Sequence, residues 1–480
     1  MGATSRVVAA GLLAVAVGMG GCAEEADPDE DAAPTTTTTT TTTLVGEQGA
    51  PGVGDPYYPA LGNGGYDVEH YDLDLTWQAD TGTLEGVTTV EATATQDLSA
   101  FHLDLSGMEV RAVTVDGSPA DHERTERELL VTPDAAIASG DDFSSVVTYR
   151  GAPRPIAEGT ELFELGWQTD GREAYVVSEP SGASTFFPVN DHPTDKASYT
   201  LRVTAPEDQV VAANGLLESR DEVGHGMVAW TYEAPDQMAS YLVQVAIGDY
   251  ELVDGGEAAG VPIRHAFHRA HAEGAKTTVA SMPRMLEVLT EIYGPYPFDT
   301  YGVLVVDEAL GFALETQTLT IIGADIVDLG SDADPILAHE LAHQWVGDAV
   351  SPATWQDIWL NEGFATYAEW LYAERTGGAS AADAARRVNG FPDLDTPPGD
   401  PGAEELFGRS VYLRGGQTLQ ALRERIGDDA FFEVLRRWVD EHRDGTASTA
   451  DFVALSEEVA GQQLDDLFDV WLYATTAPQL

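Results

Sequence analysis

The stretch PILAHELAHQWVGD at residues 335–348 carries two histidines four positions apart, His339 and His343, with Glu340 directly after the first. Residues i and i+4 of a helix lie on one face, one turn apart, so both imidazoles can bind a single metal ion. The motif is moderately specific, because a core helix with two structural histidines can match it by chance. Residues elsewhere in the chain are needed to decide between a metal site and two structural histidines.

Helix signals flank the motif on both sides. Asp334 precedes Pro335, and an aspartate can cap the first amide groups of a helix while proline fits its first position. The helix that carries the motif is therefore expected to run to about Val346. A second helix is predicted over residues 358–375, with Asp357 as its cap and two glycines after its end.

The second predicted helix offers a third metal ligand, Glu362, in the segment WLNEGFA. A hairpin of two helices brings it opposite His339 and His343, and zinc in hydrolases takes three protein ligands while a fourth position stays open for water. Glu340 faces the same cleft and can take a proton from that water, whose pKa the ion lowers. One Zn2+ ion in a hydrolase is therefore predicted. A structural zinc site is disfavoured, because such sites usually close all four positions with protein ligands.

The other histidines are not expected to bind metal. His265, His268 and His271 lie close in sequence, but they straddle a strand end and a loop, so their side chains should diverge. No ligand carboxylate is spaced to join them. Surface or core roles are the default for the isolated histidines, which are His70, His102, His122, His192, His225 and His442.

The segments HELAHQWVGD (339–348) and WLNEGFATY (359–367) resemble the core motif and the downstream glutamate segment of a known family. That family is the gluzincin zinc aminopeptidases, which include aminopeptidase N and leukotriene hydrolase, and the resemblance covers about residues 57–480. It implies that the two motif histidines and Glu362 are the zinc ligands and that Glu340 is the general base of a peptide hydrolase.

Three further residues resemble positions that distinguish this family from thermolysin-like endopeptidases. Glu315 in FALETQT and Glu179 in SEPSGASTFFPVNDHP match two carboxylates that bind the free α-amino group of the substrate. Buried carboxylates with no lysine or arginine close in sequence suit that role, because they can await an ammonium ion. Tyr412 in SVYLRGGQ resembles the tyrosine whose hydroxyl hydrogen-bonds the oxyanion. The strand at 317–322 is expected to pair with the substrate backbone.

The chain departs from the family pattern at two places. The loop that holds Glu315 reads FALET at 312–316, without the first glycine and the final asparagine of the family, so its backbone path and the pocket for the first side chain can differ. The larger relatives continue into a helical C-terminal domain that roofs the active site, whereas this sequence ends at Leu480. A more open cleft with looser selectivity is the resulting expectation.

The hydrophobic pattern predicts an α+β fold class with two folded domains. Short alternating segments between about Tyr66 and Gly248, broken by Gly, Pro and Asp, predict an antiparallel, sandwich-like β domain at 57–252. Helical periodicity then predicts a thermolysin-like catalytic domain at 253–480. Besides the two metal-binding helices, its predicted elements are a helix at 272–293, strands at 301–306 and 317–323, and helices at 402–426, 428–442 and 449–475.

The charge of the chain excludes one class of partner. The sequence has 81 acidic and 24 basic residues, for a formal net charge of -57. Such a surface repels polyanions, so nucleic acid is not an expected partner. With 43% hydrophobic residues in 480, the chain can still bury more than one core.

The N-terminal residues are typical of an exported lipoprotein. Residues 1–22 hold a short apolar run that ends in small residues and Cys22, the single cysteine, which resembles a bacterial lipobox. Plain secretion is the alternative. Residues 23–56 contain nine consecutive threonines and many acids, which predicts a disordered tether. The protein is therefore expected on the outer face of a cell membrane, attached by its lipid alone.

These residues together predict a monomeric zinc aminopeptidase that acts on peptides with a free N-terminus. A zinc endopeptidase, an epoxide hydrolase of the same fold, and a surface peptide-binding protein that has lost catalysis remain alternatives. For Glu179 and Glu315 the structural alternative is an acid in solvent, and for Tyr412 an aromatic side chain on an amphipathic helix.

Overall fold

The computed structural model describes residues 44–157 and 164–480. The predicted leader at 1–22 with Cys22, and the predicted tether up to residue 43, lie outside the described residues. In the described ranges no helix has the length and apolar character needed to cross a membrane.

The first half of the described chain forms strands, because its alternating segments place apolar side chains on one face of a sheet. Along β2, for example, Leu73, Leu75 and Trp77 are all 0% exposed. The strands are β1 (Glu47–Gln48), β2 (Tyr66–Gln78), β3 (Thr83–Ala94), β4 (Leu98–Asp104), β5 (Glu109–Val115), β6 (Ser118–Pro119), β7 (Asp121–Arg124), β8 (Glu128–Thr132), β9 (Asp142–Gly151), β10 (Gly166–Thr169), β11 (Ala174–Val177), β12 (Lys196–Pro206), β13 (Val210–Ala213), β14 (Leu216–Gly224), β15 (Met227–Ala239) and β16 (Val245–Gly248).

These strands form three sheets. An eight-stranded sheet has the order β14-β15-β12-β2-β3-β9-β5-β6, and two four-stranded sheets have the orders β1-β4-β8-β7 and β10-β11-β16-β13. The predicted β domain is confirmed, but its largest sheet is mixed. β2 pairs with β12 in parallel, and so does β1 with β4. Alternation reports which face of a strand is buried and not the direction of its neighbour, so the sequence could not show these two pairings.

The predicted tether ends earlier than residue 56. β1 pairs with β4, and Asp55 is only 3% exposed. The Asp55 carboxylate accepts hydrogen bonds from the backbone amides of Tyr57, Tyr58 and Trp355. The prediction of disorder is wrong for residues 47–56, because the polar groups that make this segment appear solvated find partners in a distant part of the chain.

The second half of the described chain contains a five-stranded sheet of order β17-β18-β19-β21-β20. Its strands are β17 (Tyr250–Ala258), β18 (Val261–His268), β19 (Val303–Val305), β20 (Ala313–Leu314) and β21 (Thr320–Ile322), and a separate pair is formed by β22 (Val350–Pro352) and β23 (Gly445–Ala447). The predicted domain boundary between residues 252 and 253 falls inside β17. The division into two domains stays a prediction.

The helices of this half are α1 (Ala272–Thr278), α2 (Met282–Tyr293), α3 (Ala324–Val327), α4 (Asp334–His343), α5 (Trp359–Arg375), α6 (Ala381–Val388), α7 (Arg409–Ile426), α8 (Asp428–His442), α9 (Thr449–Ala460) and α10 (Asp465–Phe468). The predicted helix at 272–293 is two helices with a 3-10 turn between them. The helix α6 was not predicted from the sequence. Its signal was present, since the Ser380 hydroxyl accepts from the Asp383 amide, in the pattern of a helix start.

The helices α4 and α5 lie where the sequence predicts them, but their predicted caps are wrong. Asp334 is the first residue of α4 and accepts a hydrogen bond from the Ser281 hydroxyl instead of capping. Asp357 accepts from the amide and hydroxyl of Thr449. In both cases a partner from another helix binds the carboxylate in place of the local amide groups, a competition that local sequence does not show.

Two glycines allow α5 and α7 to approach each other closely. A Cβ atom on Gly415 of α7 would lie 2.8 Å from the Cα atom of Gly363 of α5, and the reverse substitution gives the same distance. Glu362 of α5 and Tyr412 of α7 flank this crossing in sequence, so the crossing fixes how close those two side chains come. Larger residues here would separate the helices.

We expect Gly415→Ala to lower the free energy of unfolding by about 1–3 kcal/mol, because the added methyl group meets backbone atoms that cannot yield. Gly416→Ala is the matched control, since its Cβ would meet the tip of the Trp370 ring at 3.0 Å. That side chain can move, and alanine favours the helix. Urea unfolding of both variants measures the difference, and equal stability of the two would contradict the close-packing account.

Candidate active site

Helices α4 and α5 bring three possible metal ligands together. Glu362 Oε2 lies 3.1 Å from His339 Nε2 and 3.5 Å from His343 Nε2. A tetrahedral zinc ion with bonds of about 2.0–2.1 Å requires ligand separations of about 3.3 Å, so the three donors fit zinc. All three residues are at least nine-tenths buried. The structure thus brings together the ligand set that the sequence predicts.

The other nitrogen of each imidazole is held in place. His339 Nδ1 lies 2.8 Å from Glu369 Oε1, and His343 Nδ1 lies 3.0 Å from the Val346 carbonyl oxygen. Donation to these acceptors puts the ring proton on Nδ1 and leaves the lone pair on Nε2, facing Glu362. The role of Glu369 was not predicted from the sequence. Its signal was its position two turns after Glu362 on the same face of α5.

The surroundings of the imidazoles favour a bound cation. Burial opposes the charged form of His343, yet the nearby Glu315 and Glu362 carboxylates raise its pKa to about 9. Hydrogen bonds to Glu362 and Glu369 likewise outweigh burial and raise the pKa of His339. Protons and metal ions compete for the same nitrogen lone pairs, so a field that favours one also favours the other.

Glu340 lies on α4 between the two histidines and is 6% exposed. Burial raises the pKa of its carboxyl group to about 8, against the opposing effect of both imidazoles. A divalent cation beside it would lower that pKa again. A carboxyl group whose pKa is close to neutrality can both accept and return a proton, as general base catalysis requires.

Glu179 and Glu315 place two more buried carboxylates beside this set. Glu179 follows β11 and is 5% exposed, and Glu315 follows β20 and is 2% exposed. Carboxylate oxygens of these two residues and of Glu362 lie within 4.8 Å of one another. Burial raises the pKa of Glu179 and of Glu315, and their mutual repulsion raises that of Glu179 further.

Each of these two glutamates has an oxygen atom without a partner. Glu179 Oε1 and Glu315 Oε1 are buried and make no hydrogen bond. In the described ranges no lysine or arginine forms an ion pair with either residue, and the imidazole of His343 lies with its Nδ1 atom 3.9 Å from Glu315 Oε1, beyond hydrogen-bond distance. Buried charges in proteins are normally paired, so this arrangement indicates the position of a cationic ligand.

The loop FALET at 312–316 still holds Glu315 in the site, despite its departure from the family pattern. Gln344, directly after α4, donates a hydrogen bond from Nε2 to the Glu315 carbonyl at 2.8 Å and accepts one from the Thr318 amide at 2.8 Å. The loop is thereby fastened to the helix of the candidate metal ligands. Gln344 was also missed, although it directly follows His343.

The edge strands of the five-stranded sheet are β17 and β20, and the strand that the sequence predicts to pair with a substrate is not one of them. β21 pairs with β19 on one side and with β20 on the other. The predicted pairing of residues 317–322 with a substrate backbone is therefore wrong, because both edges of β21 are occupied. β20 has β21 as its one partner among the described strands, and its free edge leads directly to Glu315.

Tyr412 lies in the first turn of α7 and is partly buried. Its ring stacks on that of His339, with centroids 5.8 Å apart and an angle of 18° between the planes. Burial, with the nearby Glu362 and Glu179 carboxylates, raises the pKa of its hydroxyl well above the usual range. The phenol stays protonated and can donate a hydrogen bond beside the candidate metal ligands.

The side chains of the histidines at 265, 268 and 271 are not arranged as the sequence predicts. His268 and His271 come together with a carboxylate, that of Asp307, which follows β19. The expectation of divergent rings without a carboxylate is wrong for this pair, because β18 and β19 are neighbours in the sheet. His265 stays apart: its Nδ1 accepts from the Val303 amide at 3.1 Å, and burial lowers its pKa to about 4.

Both halves of the described chain match models of known protein families. Residues 67–242 match the model of the peptidase M1 N-terminal domain, and residues 278–471 match that of the peptidase family M1 domain. The first range contains Glu179. The second contains the histidine motif and Tyr412.

Curated relatives match most of this chain. Aminopeptidase N of Streptomyces lividans is 26% identical over 85% of this chain and 50% of its own length. Human endoplasmic reticulum aminopeptidase 1 is 25% identical over 78% of this chain and 43% of its own length. The chain thus spans about half the length of the curated relatives that it matches.

Solved structures include relatives of similar size. An M1 zinc metallopeptidase from Deinococcus radiodurans is 34% identical, with a TM-score of 0.82, over 89% of this chain and 98% of that one. A mutant of the Deinococcus enzyme bound to a Tyr-Ser-Ala substrate is also 34% identical, with a TM-score of 0.82, over 89% of this chain and 99% of its own. With this coverage and both domain models matched, the chain belongs to peptidase family M1.

Proposed function

We propose that the chain is a zinc-dependent aminopeptidase that hydrolyses the first peptide bond of peptides with a free N-terminus. The observation that carries this proposal is the pair of buried, unpartnered carboxylate oxygens of Glu179 and Glu315 next to three metal-binding donors. A metal centre alone suits many hydrolases. The carboxylate pair adds a site for one positive charge at a fixed distance from the metal ligands.

The proposed zinc ligands are His339 Nε2, His343 Nε2 and a carboxylate oxygen of Glu362, since these donors face one another at separations that suit one ion. When bound, zinc polarises the substrate carbonyl and lowers the pKa of a water molecule towards neutrality. Three protein ligands leave one position open for that chemistry.

The remaining residues bind the substrate and move protons. Glu179 and Glu315 bind the ammonium group of the peptide, which compensates the burial of both carboxylates. Glu340 takes a proton from the attacking water and returns it to the leaving amine. The Tyr412 hydroxyl donates a hydrogen bond to the carbonyl oxygen as negative charge develops there. The free edge of β20 can pair with the backbone of the bound peptide.

This arrangement explains why an exopeptidase is favoured over an endopeptidase. An internal peptide segment would place a neutral amide against Glu179 and Glu315 and leave both carboxylates uncompensated. Leaving a buried charge without its partner costs about 2–5 kcal/mol, which is about 30-fold or more in affinity. The supported substrate class is therefore peptides with a free α-amino group.

An aminoacyl arylamide with a free amine should be hydrolysed with a kcat/KM at least about 30-fold higher than that of its N-acetylated counterpart, because acetylation removes the ammonium charge. Steady-state kinetics with both reporters measure the ratio. Equal cleavage of the two would contradict the role of the glutamate pair and favour an endopeptidase.

Matched variants separate binding of the amine from the chemistry. Glu315→Gln should lower kcat/KM for the free-amine reporter and reduce the ratio between the two reporters. Glu340→Gln should lower kcat by about 10²-fold or more while the protein still binds zinc. A Glu340→Gln variant as active as the wild type would show that another group is the base.

Glu369→Gln should weaken zinc binding by about 10–100-fold, because the carboxylate that orients His339 is lost. Competition with a chromogenic chelator measures the dissociation constant. Glu291→Gln, which removes an equal charge from an exposed position of α2, should bind zinc as the wild type does. Unchanged affinity in Glu369→Gln would mean that the His339 ring is held in another way.

We also propose that the protein is exported and attached to the outer face of a membrane by a lipid on Cys22, on the basis of the leader-like residues 1–22. Cys22→Ser should move the protein from the membrane fraction to the soluble fraction while its specific activity stays the same. Fractionation of cells that express each form measures this, and an unchanged distribution would contradict the lipid anchor. A monomeric state stays a prediction.

A further inference from the structure

We propose that the chain has a second binding site for a divalent transition metal ion, formed by His268, His271 and Asp307. His268 ends β18, His271 precedes α1, and Asp307 follows β19. None of these elements supplies a residue of the candidate active site. The proposal does not depend on the proposed function.

The donor atoms of the three residues converge. His271 Nε2 lies 2.7 Å and His268 Nδ1 lies 3.6 Å from the same atom, Asp307 Oδ1. One donor atom from each residue lies within 4.8 Å of those of the other two. Tetrahedral metal–ligand bonds of about 2.0–2.1 Å separate ligand atoms by about 3.3 Å, so the contact of His271 with Asp307 has to lengthen and that of His268 with Asp307 has to shorten slightly to enclose an ion.

His268 is the most buried of the three residues. Its residue is 8% exposed, and its Nδ1 atom is buried without a hydrogen-bond partner. Its Nε2 atom lies 3.3 Å from Glu173 Oε2. With the ring proton on Nε2, the atom near this carboxylate, the lone pair lies on Nδ1, which is 3.6 Å from Asp307 Oδ1. A buried nitrogen without a partner is unfavourable, and a metal ion would supply that partner.

The backbone turn between the histidines favours this geometry. The His271 amide donates to the His268 carbonyl at 2.9 Å, which closes a tight turn. The two ring centroids are 6.2 Å apart. Arg269, which lies between them in sequence, forms an ion pair with Asp249 at 3.0 Å, so its charge is balanced.

The electrostatic surroundings also favour a cation. Tyr250 packs edge-on against the His268 ring, with centroids 5.8 Å apart. Burial raises the pKa of its hydroxyl well above the usual range, and Glu173, Glu308 and Asp307 raise it further. These carboxylates produce a negative potential around the two imidazoles.

The donor set determines which ion fits. Two imidazoles and one carboxylate suit Zn2+, Co2+ or Ni2+, whereas Ca2+ and Mg2+ prefer oxygen ligands alone. The Asp307 side chain is 55% exposed and that of His271 is 24% exposed, so water can complete the coordination. The ion would fasten the end of β18 to the start of the segment 307–315, whose last residue is Glu315. We therefore expect an effect on stability and not on the chemical step.

The test counts metal ions on the full-length chain. Protein stripped with a chelator is reloaded with Zn2+, dialysed against metal-free buffer and analysed for zinc and protein. The wild type should retain about two ions per chain, and His271→Ala should retain about one with its hydrolysis of the free-amine reporter unchanged. His122→Ala, a matched histidine substitution away from both sites, should retain about two.

Further variants distinguish the second metal site from the candidate active site. His343→Ala should also retain about one ion but lose activity, which separates failure of the proposed function from failure of this proposal. Asp307→Asn tests the site without removal of a ring, and circular dichroism checks that each variant is folded. With Co2+ in place of zinc, the visible absorption bands lost in His271→Ala should differ from those lost in His343→Ala. The proposal is overturned if the wild type retains one ion, or if folded His271→Ala and Asp307→Asn retain as many ions as the wild type.

Discussion

Four buried carboxylates converge at the candidate active site, and their charges need compensation there. Glu179, Glu315, Glu340 and Glu362 are each at most 6% exposed, and removal of an ionised carboxylate from water costs several kcal/mol unless partners compensate. Two imidazoles compensate Glu362. Under the proposed function, the remaining negative charge is compensated when cations bind, a metal ion beside the imidazoles and an ammonium group beside the glutamate pair. Affinity for both kinds of cation therefore has one physical origin.

Packing between regular elements holds these charges at their distances. Gly363 lets α7 approach α5, which sets the distance between Tyr412 and Glu362 on α5. Gln344 connects α4 to the backbone around Glu315, and Glu369 fixes the His339 ring from α5. Each contact joins two different elements, so a displacement of one element would move several functional groups together. Charges that repel one another stay close because the scaffold is rigid and not because the charges attract.

The sequence predicted what local periodicity determines and missed what distant contacts determine. The spacing of the motif histidines, and Glu362 on the next helix, followed from one turn of a helix and a helical hairpin. Glu369 could have been predicted from the sequence, since it lies two helical turns beyond Glu362. The cap at Asp334 was wrong because a serine from another helix binds that carboxylate. Nothing in the sequence places Asp307 beside His268, since only the parallel pairing of β18 and β19 brings those strand ends together.

The partners of the two ring nitrogens distinguish a metal-binding histidine from a structural one. In His339 a carboxylate holds Nδ1 and leaves Nε2 to face other donors. In His268 the roles are exchanged, since a carboxylate lies near Nε2 and Nδ1 has no hydrogen-bond partner. In His265 a backbone amide occupies Nδ1, and burial keeps the ring neutral. His265, His268 and His271 are evenly spaced in sequence, so spacing cannot distinguish a metal-binding histidine from a structural one. The two kinds differ in their ring nitrogens, because a metal-binding histidine has a carboxylate beside one nitrogen and a lone pair available on the other.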